Sequence, residues 1–302
     1  MTAPLDEAAI ARARSAFLQA CQLDVVVRKP GNVSVASPGH GMQADLFVTS
    51  AQAAAAPLFA PGERVGARVE AAMAASWAAV GCNTNLGILL LCAPIALAVE
   101  RFPQADSAAA LHQAVEAVLA ELDVDDARAA YRAIAQAKPG GLGDAPEQDV
   151  HDEPTLDLRR AMALAASRDS IALQYTNGFA EVFELALPLW PRGFVPMANG
   201  LQELPDALTK ARVQRVYLGL LSRLPDSHIV RKHGAALAHT VMRAAQGWRV
   251  RSDAGMAVDA DPAFVAWDDA LKRDGINPGT SADLTVATLF VAGVLAAAPR
   301  QP

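Results

Sequence analysis

Residues 86–98 read Leu-Gly-Ile-Leu-Leu-Leu-Cys-Ala-Pro-Ile-Ala-Leu-Ala, and residues 284–298 read Leu-Thr-Val-Ala-Thr-Leu-Phe-Val-Ala-Gly-Val-Leu-Ala-Ala-Ala. Each run is apolar on every face yet shorter than the roughly 20 residues that span a bilayer, so both read as helices buried at the centre of a globule. Outward from them the same preference continues. Alanine supplies roughly a fifth of the chain, aromatics only 5%, and β-branched runs are rare, a composition that favours helix nearly everywhere. Helical spacing is visible over residues 6–22, 43–58, 64–80, 86–101, 106–121, 124–137, 155–166, 169–187, 203–223, 227–247, 262–273 and 281–298. The expected fold is therefore all-α, a single compact domain of roughly twelve helices over residues 1–302. Strand character is confined to Val25-Val26-Val27.

Breakers such as Lys29-Pro30-Gly31-Asn32, Pro61-Gly62, Pro191-Arg192-Gly193 and Asn277-Pro278-Gly279 keep most connections short. The longest irregular stretch, residues 138–154, is rich in Gly, Pro and acids and reads as a flexible loop or lid.

The 302 residues are 52% hydrophobic and 19% charged, with 26 Lys+Arg against 32 Asp+Glu for a net charge of −6. That balance excludes a disordered chain and argues against nucleic-acid or anionic-membrane binding, which require a basic face. The expected partner is a small molecule. Three cysteines without a CxxC pair suit a reducing compartment, and the acidic start Met1-Thr2-Ala3-Pro4-Leu5-Asp6-Glu7 lacks signal-peptide character, so the expected location is the cytoplasm.

No GxxxxGK[ST], GxSxG or HExxH occurs, which disfavours a P-loop, an α/β-hydrolase elbow and a zincin. His228, His233 and His239 are spaced five and six residues apart, off a common helix face. What is left is a set of polar residues at helix starts and tight loops. Asn83-Thr84-Asn85 either caps the following helix or presents amides and a helix N-terminus to an anion. Asp152-Glu153-Pro154-Thr155-Leu156-Asp157 either complements a helix dipole or holds Mg²⁺ on a polyphosphate. Gln174, Asn177, Glu181 and Glu184 share one helical face, either an ordinary solvated stripe or a cleft wall. Asp226-Ser227-His228 with Arg231 either caps a surface helix or offers a guanidinium fork to phosphate. The recurrence of cation, acid and amide suggests a nucleotide or polyphosphate pocket between helices.

Together these residues resemble the triphosphoribosyl-dephospho-CoA synthase family. The resemblance rests on Lys29-Pro30-Gly31-Asn32-Val33-Ser34, the His40/Asp45 region, Asn83-Thr84-Asn85-Leu86-Gly87, Asp226-Ser227-His228-Ile229-Val230-Arg231 and Asn277-Pro278-Gly279-Thr280-Ser281-Ala282-Asp283-Leu284. Family members usually carry Asn-Thr-His-Lys-Gly where this chain has Asn83-Thr84-Asn85-Leu86-Gly87. The segments Asp152–Leu158 and Arg168–Phe179 look like a divergent branch found with methanopterin-linked one-carbon metabolism.

The resemblance implies an all-helical transferase that moves the triphosphoribosyl part of ATP to the ribose 2′-hydroxyl of 3′-dephospho-CoA and releases adenine. Its oxocarbenium-like transition state asks for one carboxylate beside the ribose and a second group to deprotonate the acceptor. On this reading Asp45, Asp226 and His40 are the expected catalytic residues. Lys29, Asn32, Asn83, Thr84, Asn85, Arg168, Asp169, Tyr175, His228 and Arg231 are expected on the nucleotide, and Glu153 and Asp157 on Mg²⁺. The alternatives are another ATP-using step in making a one-carbon carrier cofactor, of methanopterin or methylofuran type, and a non-catalytic nucleotide-binding helical protein. No nucleic-acid or membrane partner is expected, and a homo-oligomer is compatible with the reading.

Overall fold

The computed structural model describes residues 6–140, 147–191 and 205–297. Among them are thirteen α-helices: α1 (Glu7–Val26), α2 (Ala44–Leu58), α3 (Val65–Val80), α4 (Leu86–Arg101), α5 (Ala108–Ala120), α6 (Val124–Ala137), α7 (Leu158–Ala163), α8 (Ser170–Asn177), α9 (Ala207–Leu221), α10 (Ser227–His233), α11 (Ala235–Asp253), α12 (Pro262–Arg273) and α13 (Gly279–Ala297). The described residues contain no strand, only two isolated bridges in the α1–α2 connection. The all-α expectation holds. Val25 and Val26 belong to the last turn of α1 instead of a strand, because their side chains are buried in the helix-packed core.

The two apolar runs are α4 and α13. Every residue of α4 from Ile88 to Val99 is buried, and α13 packs against α1, α4 and α9. α13 begins at Gly279, earlier than its apolar pattern suggests, and at 19 residues it is long and apolar enough to cross a membrane by length and composition alone. Most of its surface is instead covered by protein, as befits the central helix of a core. Phe17, Phe59 and Phe290 meet there at centroid distances of 5.8–6.1 Å. A second apolar cluster joins α9 to α12 around Tyr217, Phe264 and Ile229.

Side-chain caps fix where many helices start. Asp6, Ser107, Asp123, Asp157, Asp169, Asp206, Asp226 and Asp261 each accept a backbone N–H of the helix they precede. Glycines fix where two expected helices end early. Gly178 (φ +70°) closes α8, so the expected helix 169–187 resumes only as a π-helical turn, Glu181–Ala186. The polar stripe is broken there, although Gln174 and Asn177 still donate to Glu181 at 2.6 and 2.8 Å. Gly234 (φ +85°) likewise divides the expected helix 227–247 into α10 and α11.

The α1–α2 connection is stitched to α12. Buried Asp268 accepts from Arg28 Nη1 at 2.7 Å and from the Gly31 backbone at 2.8 Å, while the Tyr217 hydroxyl donates to the Pro30 carbonyl at 2.7 Å. This holds in place Asn32, which lines the cavity described below.

Candidate active site

A cavity of about 450 Å³ opens where the ends of α1, α4, α8, α10 and α13 converge. Five segments far apart in sequence meet on its wall: Asp24 with Asn32, Asn83–Ile88, Arg168 with Asp169, His228 with Arg231, and Asn277 with Asp283.

The Asn83–Asn85 turn is tied into the helix packing at the start of α4. The Asn83 side chain accepts from the Leu86 backbone at 3.2 Å and so caps α4. Thr84 donates to Ser50 Oγ at 2.7 Å, and Asn85 Nδ2 donates to Ser76 Oγ at 3.0 Å, tying the turn to α2 and α3. The Asn85 Oδ1 atom is left buried with no hydrogen-bond partner. A buried acceptor without a donor is costly unless a ligand supplies one.

The starts of α8 and α10 are laced together. Ser170 N–H donates to Ser227 Oγ at 2.7 Å, and Arg231 Nη1 donates to Asp169 at 2.5 Å, while Asp169 caps α8. Arg231 Nε and His228 Nε2 are both buried without partners. Burial, with Lys232 and Arg231 nearby, drives the His228 pKa down to about 3, so its ring is neutral at physiological pH. Arg168 lines the cavity from an exposed position.

Two carboxyls on the wall escaped the sequence reading. Asp24, 3% exposed, takes an ion pair from Lys29 Nζ at 3.0 Å; burial raises its pKa against the lowering effect of that cation. Asp283 lies in the first turns of α13 with its Oδ2 against Gly87 of α4, where an added Cβ would come within 2.0 Å. Among the described residues no donor reaches its carboxyl. Burial, reinforced by Asp24 and Asp226, pushes Asp283 well above the usual carboxylate range. The available signal was that Asp283 is the single charged residue in the 19-residue α13.

Other expected site residues lie elsewhere. Lys29 is fully buried behind the wall, donating to the Asp24 carbonyl at 2.5 Å and Asn32 Oδ1 at 2.9 Å. It positions two lining residues and does not reach the cavity. Asp226 is also behind the wall, its oxygens occupied by His228 N–H, Ile229 N–H, Ser281 N–H and Ser281 Oγ at 2.7–3.2 Å. His40 Nε2 meets the Gly31 carbonyl at 2.8 Å, and Asp45 sits exposed at the start of α2. Tyr175 is buried with its hydroxyl on the Leu90 carbonyl at 2.7 Å. None of these five lines the cavity.

Glu153 accepts from Arg128 at 2.5 Å on the surface, and Asp157 caps α7 and pairs with Arg160 at 3.3 Å. They are placed by local charge and capping and do not fit a metal held on a polyphosphate in this cavity. Among the described residues no group of three His, Cys, Asp or Glu side chains is arranged to hold a metal. Of the expected 138–154 lid, residues 141–146 lie outside the described residues, whereas Pro139, Gly140 and 147–150 line the cavity.

An all-α chain that gathers amides, arginines and buried carboxyls around one interhelical cavity has the make-up of a group-transfer enzyme working on a small polar substrate. The family model for ATP:dephospho-CoA triphosphoribosyl transferase matches residues 10–301, and the chain belongs to that family, whose members are transferases. A crystal structure from Archaeoglobus fulgidus, provisionally described as a triphosphoribosyl-dephospho-CoA synthase, is similar at 25% identity and TM-score 0.61, covering 83% of this chain and 98% of that one. No curated protein matches the chain significantly.

Proposed function

We propose that this chain moves the triphosphoribosyl part of ATP to a hydroxyl of 3′-dephospho-CoA inside the cavity, releasing adenine. The observation that carries the site assignment is convergence: Asn32, Asn83–Gly87, His228–Arg231 and Asn277–Asp283, separated by up to some 250 residues, share one cavity in a chain matched to the family from residue 10 to 301. ATP enters as its Mg²⁺ complex, and the triphosphate lies toward Arg168 and Arg231, whose guanidinium forks suit phosphate oxygens. Neutral His228 offers a hydrogen bond to ribose or phosphate without adding charge. The apolar stretch of wall at Met42, Phe47, Leu164 and Val150 suits the uncharged arm of the acceptor.

Three free cysteines, of which Cys21 and Cys92 are buried with thiols pushed up by that burial, support work in the reducing cytoplasm. A second acceptor class, an intermediate of a one-carbon carrier cofactor in a methanopterin-linked branch, is favoured by one feature: Leu86 puts an apolar side chain on the wall next to Asn85.

The test is incubation of pure protein with ATP, Mg²⁺ and 3′-dephospho-CoA, followed by mass spectrometry. Free adenine in equal amount with a triphosphoribosyl adduct is expected. ADP or AMP without adenine would overturn the reaction type. Adenine release only with a different acceptor would transfer the assignment to the one-carbon branch.

A further inference from the structure

The carboxyl of Asp283 is unlike its neighbours. Asp24 is tied to Lys29, Asp169 to Arg231 and the start of α8, and Asp226 to four donors around α10 and α13. Asp283 alone among these four aspartates has no donor among the described residues, and it lines the cavity. Its Oδ2 rests against Gly87 at the start of α4, on the wall of the same cavity. A carboxyl that no protein donor occupies is free to act as a hydrogen-bond donor toward a ligand in the cavity. Adenine presents the complement, an acceptor at N7 on its Hoogsteen edge.

Resting on the function proposed above, we infer that Asp283 is the catalytic acid that protonates adenine N7 as the base departs. The bond between ribose C1′ and adenine N9 breaks with its electron pair entering the purine, which takes the Asp283 proton at N7. The acceptor oxygen bonds to C1′, and its hydroxyl proton restores the Asp283 carboxyl, so the net change moves one proton from acceptor to adenine. Protonation matters because an anionic purine is a poor leaving group, and a positioned acid of this kind contributes about 10²–10⁴-fold. The state this role needs is supplied by the surroundings. Around Asp283 stand Asp24, Cys21 and Cys92 from α1 and α4, Asp226 and Asp169 before α10 and α8, and Arg231 of α10; burial and the acidic neighbours raise its pKa well above the usual carboxylate range, against the lowering effect of Arg231.

The test uses 7-deaza-ATP, in which a C–H replaces N7, beside ATP. Wild-type protein should bind ATP about three- to tenfold more tightly than 7-deaza-ATP by calorimetry, and Asp283→Ala should bind the two equally. Equal affinities in the wild type would overturn the inference even if no turnover were seen with any acceptor, which separates its failure from failure of the proposed reaction. In turnover, Asp283→Asn keeps the shape and a hydrogen-bond donor but has no proton to give. Its adenine release from ATP should fall about 10²–10⁴-fold in kcat with little change in KM, and it should be restored with 7-methyl-ATP, whose cationic base leaves without a proton. Wild-type kcat in Asp283→Asn, or 7-deaza-ATP consumed as fast as ATP, would overturn it.

Discussion

Gly87→Ala separates packing from chemistry. The position is in the first turn of α4, where alanine is the better helix former by about 1 kcal/mol. Its new Cβ, however, would lie 2.0 Å from Asp283 Oδ2, 2.7 Å from its Cγ and 2.8 Å from Ile171 Cδ1. The carboxyl must retreat by roughly 1 Å before the contact is tolerable. Overpacking of this kind costs about 1–3 kcal/mol, and the gain in helix propensity offsets part of it, so Tm should fall by only a few degrees. Catalysis is less forgiving: a misplacement of about 1 Å in a reacting group costs on the order of 10²-fold in rate. Thermal melts and adenine release, measured on the same preparation, check the two effects. In an Asp283→Ala background only the Ile171 Cδ1 contact remains, so adding Gly87→Ala should destabilise less than it does in the wild type. A Gly87→Ala protein retaining activity within about threefold would refute the reasoning that the Gly87–Asp283 contact sets the reactive geometry.

Lys29→Met should cost about 3–5 kcal/mol in denaturant unfolding, because it strands the Asp24 carboxylate in a buried site; a loss under about 1 kcal/mol would contradict the positioning role assigned to Lys29. Asp226→Asn offers one oxygen where two accept four bonds, so it should lower stability by about 1–3 kcal/mol, and turnover should fall as a consequence. A fully stable but inactive Asp226→Asn would return that residue to the chemistry. Asp283→Asn should change the pH dependence of stability. Because the folded-state pKa of Asp283 is raised above its unfolded value of about 3.9, the wild type is favoured below that pH and loses stability as pH rises through the folded value. The Tm advantage of Asp283→Asn should thus be near zero at pH 4 and grow toward neutrality; a difference that is flat with pH would contradict the raised pKa.

Much of this was legible in the sequence. The all-α architecture followed from alanine content and from two apolar runs too short to span a bilayer, and those runs became α4 and α13. Helix breaks were harder: the apolar spacing continues across Gly178 and Gly234, and only the positive φ of each glycine reveals the turn. Of the candidate residues, Asn32, Asn83–Asn85, Arg168, Asp169, His228 and Arg231 line one cavity because each sits at a helix start or tight turn, where polar groups face outward from the core. Glu153 and Asp157 followed the dipole and capping reading of their segment. Lys29 and Asp226 were recognisable as polar residues in special places, but whether such a residue faces a ligand or holds the wall from behind depends on the packing of distant helices. Asp24 and Asp283 show the limit most clearly. Each is one acid in an apolar run, with no spacing to mark it, and its meaning appears only when α13 packs beside α4 and α1.

The most direct test of the account is a co-crystal structure with ATP and Mg²⁺ in the absence of an acceptor. The account places the purine with N7 toward Asp283 and the triphosphate toward Arg168 and Arg231. A nucleotide bound outside this cavity, or one with its purine turned away from the α4–α13 contact, would contradict it.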